Sequence, residues 1–219
     1  YLIIAVVFIS CATYLGKSDK LINYVDPFIG SGGHGHVFVG ANVPFGGVQV
    51  GPTNFNKGWD WSSSYHHTDS IVKGFCHINV SGTGMSDLGE LTIMPATGKL
   101  MTGAGTQNNH MAGYSSLYYK DKEHASVGYY KVHLERYDID VELTATERVG
   151  LHKYRFPKSD QSRIIIDLGE GSADRPTETY LKKINDTLFE GHRFSTGWAK
   201  DQREYFSLII SKPVDDFII

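Results

Sequence analysis

Trp59, Asp60 and Trp61 set a carboxylate between two indoles inside a stretch rich in Gly, Ser and Asn. That grouping suits a ligand carrying both apolar C–H faces and hydroxyls. A sugar is such a ligand: an indole stacks on its face while the carboxylate accepts from hydroxyl groups. In an extended segment, residues two apart point the same way, so both indoles could instead plug the end of a core. Local chemistry leaves the two readings open.

Upstream, Gly30-Ser-Gly-Gly-His-Gly-His36 places His34 and His36 in a glycine-rich run. Its spacing satisfies G-x-G-x-x-G, but a dinucleotide site needs a helix opening directly afterwards. Val37-Phe-Val-Gly-Ala-Asn-Val-Pro44 follows instead, β-branched and ending in proline, so nucleotide binding is excluded. As a metal pair, His34 and His36 lack the nearby glutamate of cupin-type sites. A third ligand would have to come from His66, His67 or His77. They read as loop histidines that hydrogen-bond to backbone or to a polar ligand. His77 follows Cys76, which reads as a small buried residue and not as a nucleophile. Asp69, Asp87 and Glu90 add acids nearby. No two of them announce the separated acid and base that glycoside hydrolysis requires.

These residues lie in irregular chain, so a scaffold elsewhere must hold them. The chain of 219 residues is long enough for one good core. Its 13 Tyr, 11 Phe and 24 Gly favour β structure with many loops. The net charge of −3 comes with no Lys/Arg cluster, which argues against nucleic acid. From about residue 129 onward, short strands are punctuated by turns. Residues 139–146 alternate apolar and polar, 149–156 follow after a turn at Glu147 and Arg148, and 163–167 read as a continuously apolar inner strand. Strands at 181–184, 188–195 and 204–210 continue the series, with Asn185 and Asp186 as a turn. In the first half, brief strands at 47–50, 71–77 and 90–94 alternate with long loops. The pattern predicts an all-β antiparallel sandwich whose loops carry function.

The first eleven residues stand apart. Tyr1-Leu-Ile-Ile-Ala-Val-Val-Phe-Ile-Ser-Cys11 is too short to span a bilayer and fits the apolar region of an export signal. Phe8-Ile-Ser-Cys11 resembles a bacterial lipoprotein cleavage box, with Cys11 as the lipidated residue. Residues 1–20 are therefore assigned to a truncated leader and linker, and 21–219 to a sandwich domain itself cut short. Acylation of Cys11 would leave Cys76 without a disulfide partner.

Taken in series, Tyr24-Val-Asp-Pro-Phe-Ile-Gly30, Gly32-Gly-His-Gly-His36, Pro44-Phe-Gly46, Gly58-Trp-Asp-Trp61, Tyr65-His66, Ser81-Gly-Thr-Gly84 and Asp87-Leu-Gly89 closely resemble the N-terminal region of glycoside hydrolase family 92. Gly128-Tyr-Tyr130, Glu142-Leu-Thr-Ala-Thr146, His152-Lys-Tyr-Arg-Phe-Pro157 and Gly197-Trp-Ala-Lys-Asp-Gln202 extend the match. The resemblance implies a secreted or surface-attached bacterial exo-α-mannosidase that removes terminal α-linked mannose, α-1,2-linked first, with inversion. It also implies a β-sandwich packed on a C-terminal (α/α)6 barrel that holds the catalytic acids and the ligands of an assisting calcium ion. On that reading this region contains no catalytic residue and no metal ligand. Trp59, Asp60, Trp61, His34, His36 and His77 are its expected sugar-facing or interdomain residues, and a mannose-containing glycan is the expected partner. The sequence departs from the family pattern at Val39, Ser62, Cys76, Asn79 and Glu90. The rival reading is a carbohydrate-binding or structural module with no catalytic partner.

Overall fold

The computed structural model describes residues 20–219. The expected leader and Cys11 lie outside the described residues. Two sheets form the main body. One runs in the order β1 (Ala41–Asn42), β2 (Gln49–Thr53), β4 (Gly74–Cys76), β7 (Thr92–Ala96) and β13 (Arg163–Asp167). The other runs β12 (Gly150–Arg155), β11 (Ile139–Ala145), β10 (Tyr129–Leu134) and β9 (Glu123–Ser126). All pairings are antiparallel. Two short ladders, β3 (Ile71–Val72) with β8 (Ser116–Leu117) and β5 (Ile78–Asn79) with β6 (Leu88–Glu90), splice the loops onto them.

The second sheet shows why the strands form. Tyr130, Val132 and Leu134 sit opposite Leu143, Val141 and Ile139, and all six side chains are buried. The period of two thus puts one face inside. Those residues meet Ala41, Val50, Phe75 and Met94 from the facing sheet, and Val39 just before it, in a single core. The expected all-β sandwich is what the chain forms.

Two expectations need correction. The run 71–77 is not one strand: Ile71 and Val72 pair with β8, whereas 74–76 pair with β2 and β7. The break falls at buried Lys73, whose backbone N–H donates to Thr53 O (2.7 Å) and whose ammonium pairs with Glu170 (2.8 Å). The apolar run 163–167 is an edge strand and not an inner one, bonded to β7 alone. An unbroken apolar run reports shielding of both faces, which an edge position can also provide.

A third sheet, β14 (Arg175–Lys183), β15 (Leu188–Thr196) and β16 (Gln202–Ile209), is joined to the sandwich by a polar junction. Arg193 is fully buried and reaches Glu90 (2.9 Å) and Asp174 through one nitrogen, while its Nε donates to Leu168 O (2.9 Å). Ser195 donates to Glu90 (2.6 Å). At the β15–β16 turn, Asp87 accepts from Trp198 N–H (3.2 Å) and from Gln202 Nε2 (2.9 Å).

Candidate functional site

Glycine-rich chain closes first. Val37 N–H donates to Gly30 O and Gly35 N–H to Gly32 O, both at 3.2 Å, so 30–37 folds back on itself. A Cβ on Gly35 would stand 2.0 Å from Gly30 O, which only glycine avoids. His36 is then held in the left-handed region (φ 55°) although it is not glycine. Such strain persists only where neighbours over-determine it. His36 O accepts from Gly82 N–H (2.7 Å), which ties this turn to the loop 81–87.

Residues Trp59–Trp61 form one turn of 3-10 helix rather than an extended segment. At three residues per turn, side chains two apart diverge. This removes the premise that both indoles point the same way. Trp59 is 56 % exposed, whereas Trp61 is partly buried. Trp61 stacks on His66 (4.4 Å between centroids, 24°) and its Nε1 donates to Asp69 (2.9 Å). His66 in turn contacts Gly33 O (3.2 Å), and His67 N–H donates to Ser31 O (2.8 Å). Trp61 is a brace behind the glycine turn.

Asp60 gathers the two histidines. Its Oδ1 lies 2.6 Å from His34 Nδ1 and 3.4 Å from His36 Nε2. The hydrogen bond from His34, more than any other influence, holds its carboxyl below the usual carboxylate range. The group is therefore an acceptor in neutral and mildly acid solution. Its Oδ2 has no hydrogen-bond partner among the described residues. His36 meets the Trp59 ring edge-on (4.3 Å, 85°) and His34 lies tilted beside it (5.3 Å, 40°). Gly84 lies close against the indole, where a Cβ would come within 2.7 Å of Trp59 Nε1. The result is a partly open indole face with a carboxylate and two imidazoles at its edge.

His77 does not join this group. Its Nδ1 hydrogen-bonds Leu91 O (2.8 Å), and its Nε2 meets His152 Nε2 (3.0 Å). His152 Nδ1 is 2.6 Å from the Tyr154 hydroxyl. One proton arrangement satisfies the whole series with both rings neutral: Tyr154 to His152, His152 to His77, His77 to Leu91. Burial pushes both imidazoles below their ordinary range, His152 furthest. Both ring nitrogens of His77 are engaged within the sandwich. Cys76 is buried, takes a hydrogen bond from Thr53 (2.7 Å) and contacts Asn79 Oδ1 (3.1 Å). Burial raises its thiol, as expected of a packing residue.

Sequence reasoning missed the residues that brace the loops. Asn54, 2 % exposed, spans the neck of the loop that carries the tryptophans. Its N–H donates to Ser64 O (2.7 Å), its Oδ1 accepts from His66 N–H (2.9 Å), and its Nδ2 donates to Ile71 O (2.7 Å). Asn56 accepts from Gly58 N–H (2.8 Å) and donates to Ser172 O (3.0 Å) and Ser86 Oγ (3.3 Å). An asparagine two residues before a glycine is a weak local signal of a turn, and nothing nearby in sequence marks these distant partners.

The family model for the "Glycosyl hydrolase family 92 N-terminal domain" matches residues 24–219. The chain belongs to this family. Among solved structures, it resembles the family GH92 alpha-mannosidase BT3965 from Bacteroides thetaiotaomicron, in complex with mannoimidazole, at 36 % identity and a TM-score of 0.87. That alignment covers 90 % of this chain and 26 % of the mannosidase. The family GH92 inverting mannosidase BT2199 from Bacteroides thetaiotaomicron VPI-5482 shares the fold at 22 % identity and a TM-score of 0.71, over 91 % of this chain and 26 % of that one. A protein described as an uncharacterized secreted glycosidase, from Arthroderma benhamiae, is 26 % identical over 68 % of this chain and 20 % of its own length. The chain thus spans about a fifth to a quarter of the length of these relatives.

The residues of this site do not suit calcium, whose ligands the family 92 resemblance assigns to the C-terminal barrel. The cluster offers two imidazole nitrogens and one carboxylate, whereas calcium takes six to eight oxygens. Among the described residues no group of three or more His, Cys, Asp or Glu side chains is set to hold a metal.

Proposed function

We propose that the chain is the N-terminal domain of an exo-acting α-mannosidase that releases terminal α-linked mannose from glycans with inversion, α-1,2-linked mannose first. In this reading Trp59 offers its open face to the sugar, and Asp60 with His34 and His36 takes its hydroxyls. Trp61 braces the loop from behind, and His77 acts only through packing. The observation that carries the reading is the exposed Trp59 indole set against Gly84, with the unpartnered oxygen of Asp60 beside it. An indole face beside an acceptor is the pairing that a pyranose asks for.

The acid/base pair and the calcium ligands are assigned to a C-terminal catalytic domain of the same protein, onto which these loops dock. The apolar run ending at Cys11 supports export, with a lipid anchor at that cysteine. The full-length protein, assayed on α-1,2-mannobiose with NMR detection, is expected to release β-mannose first and to lose activity in a calcium chelator. Absence of mannose release from every α-mannoside tested would sink the proposal. Calcium-dependent release by the purified 219-residue chain alone would overturn the placement of the acid/base pair in another domain.

A further inference from the structure

Three loops are stitched side by side at the end of the molecule that carries Trp59. The tryptophan loop meets the loop 81–87 through Trp59 against Gly84 and through Asn56 bonding Ser86. The loop 81–87 meets the β15–β16 turn through Asp87, which accepts from Trp198 N–H (3.2 Å) and from Gln202 (2.9 Å). That second junction is close-packed: a Cβ on Gly197 would lie 1.9 Å from Asp87 Oδ1. Asp87 is 8 % exposed, and its Oδ1 has no hydrogen-bond partner. A buried carboxylate therefore clamps the backbone of a turn whose next side chain, Trp198, is 73 % exposed.

Held backbone under an exposed indole is the arrangement of a stacking platform, because less of the chain has to be ordered when a ligand arrives. The two mounting points, Gly84 for Trp59 and Asp87 for Trp198, are three residues apart. Their Cα atoms are thus separated by at most about 11 Å. A short chain of linked pyranoses spans that separation.

We infer that Trp198 is a second carbohydrate-contacting residue, which takes a sugar further along the glycan from the one at Trp59. The inference rests on the mannosidase reading above and deepens it. The ligand class is an α-linked oligosaccharide of three or more units, held at Trp198 by apolar stacking without charge.

The test uses the full-length protein and compares kcat/KM on an α-mannotetraose with kcat/KM on an aryl α-mannoside, which has no further sugars. Trp198→Ala is expected to lower the ratio of the two about tenfold, chiefly through KM on the tetraose, and Trp198→Phe is expected to keep most of it because a flat apolar face remains. An unchanged ratio in Trp198→Ala overturns the inference, as does an equal fall in Trp198→Phe. If the wild-type protein cleaves neither substrate, the mannosidase reading fails. Binding of the tetraose by the wild type and Trp198→Ala, followed by calorimetry, then decides the Trp198 site alone: weaker binding by the variant supports it, and equal binding overturns it.

Discussion

Asp60 is the one site residue whose environment fixes its chemistry. Hydrogen bonds from His34 first, and then from His36, favour the ionised carboxyl, so its pKa lies below the ordinary value. It cannot serve as a proton donor near neutrality, and under the proposed function its part is to accept. Replacing it with Ala removes both the acceptor and the bond that positions His34. The expected result is a fall in kcat/KM on α-mannosides of about 10- to 100-fold, the range for losing a hydrogen bond to a charged group. The thermal midpoint should move little, because His34 is exposed and Asp60 partly so. Asp60→Asn keeps one acceptor oxygen and should fall between Ala and the wild type. His77 shows the opposite case at the same scale. Its neighbourhood in sequence, Phe75-Cys76-His77, resembles a site, but its position at the bend between β4 and β5 commits both nitrogens to Leu91 and His152.

At the scale of elements, the sandwich strands were legible because each signal was local. Residues 139–146 alternate in sequence, and β11 alternates in burial. The loop geometry was not legible, because it depends on partners far away in the chain. The single turn of 3-10 helix at Trp59–Trp61 separates two indoles that an extended segment would align. The break at Lys73 arises because the two halves of one apolar run pair with different strands. The contact of Gly84 with Trp59 is of the same long-range kind, and it gives a selective test. In Gly84→Ala the new methyl would press on the far end of a half-exposed indole, 2.7 Å away. The ring can tilt to escape, so the unfolding midpoint should stay close to wild type while the ring's working position is lost. We expect KM on mannobiose to rise about tenfold, with a shift in tryptophan emission, since small misplacements at a site cost this much or more. A large drop in thermal midpoint with unchanged KM would show that Gly84 serves packing alone.

Across the whole molecule, the sandwich and the third sheet are joined through buried charge. One fully buried arginine, Arg193, faces Glu90 from β6 and Asp174 from the segment before β14, with Glu204 of β16 beside them. Three carboxyls around one guanidinium cannot all ionise cheaply in a buried place. Burial first, and then the hydrogen bond shared with Glu90, pushes Glu204 up to about 8, and burial raises Glu90 as well. The protonated form of Glu204 is the one the fold prefers. Its contribution to stability is complete below the unfolded value of about 4.5 and is lost as pH rises through about 8. The junction, and with it the turn that presents Trp198, should therefore loosen in mild alkali. Glu204→Gln keeps the shape and a donor without that titration, so its thermal midpoint should fall less from pH 6 to pH 9 than that of the wild type. Arg193→Met tests the other partner. It strands buried carboxylates and should cost about 3–5 kcal/mol near neutrality, and lowering the pH should recover part of that loss. Parallel declines of wild type and Glu204→Gln across pH 6 to 9 would place the alkaline sensitivity outside this junction.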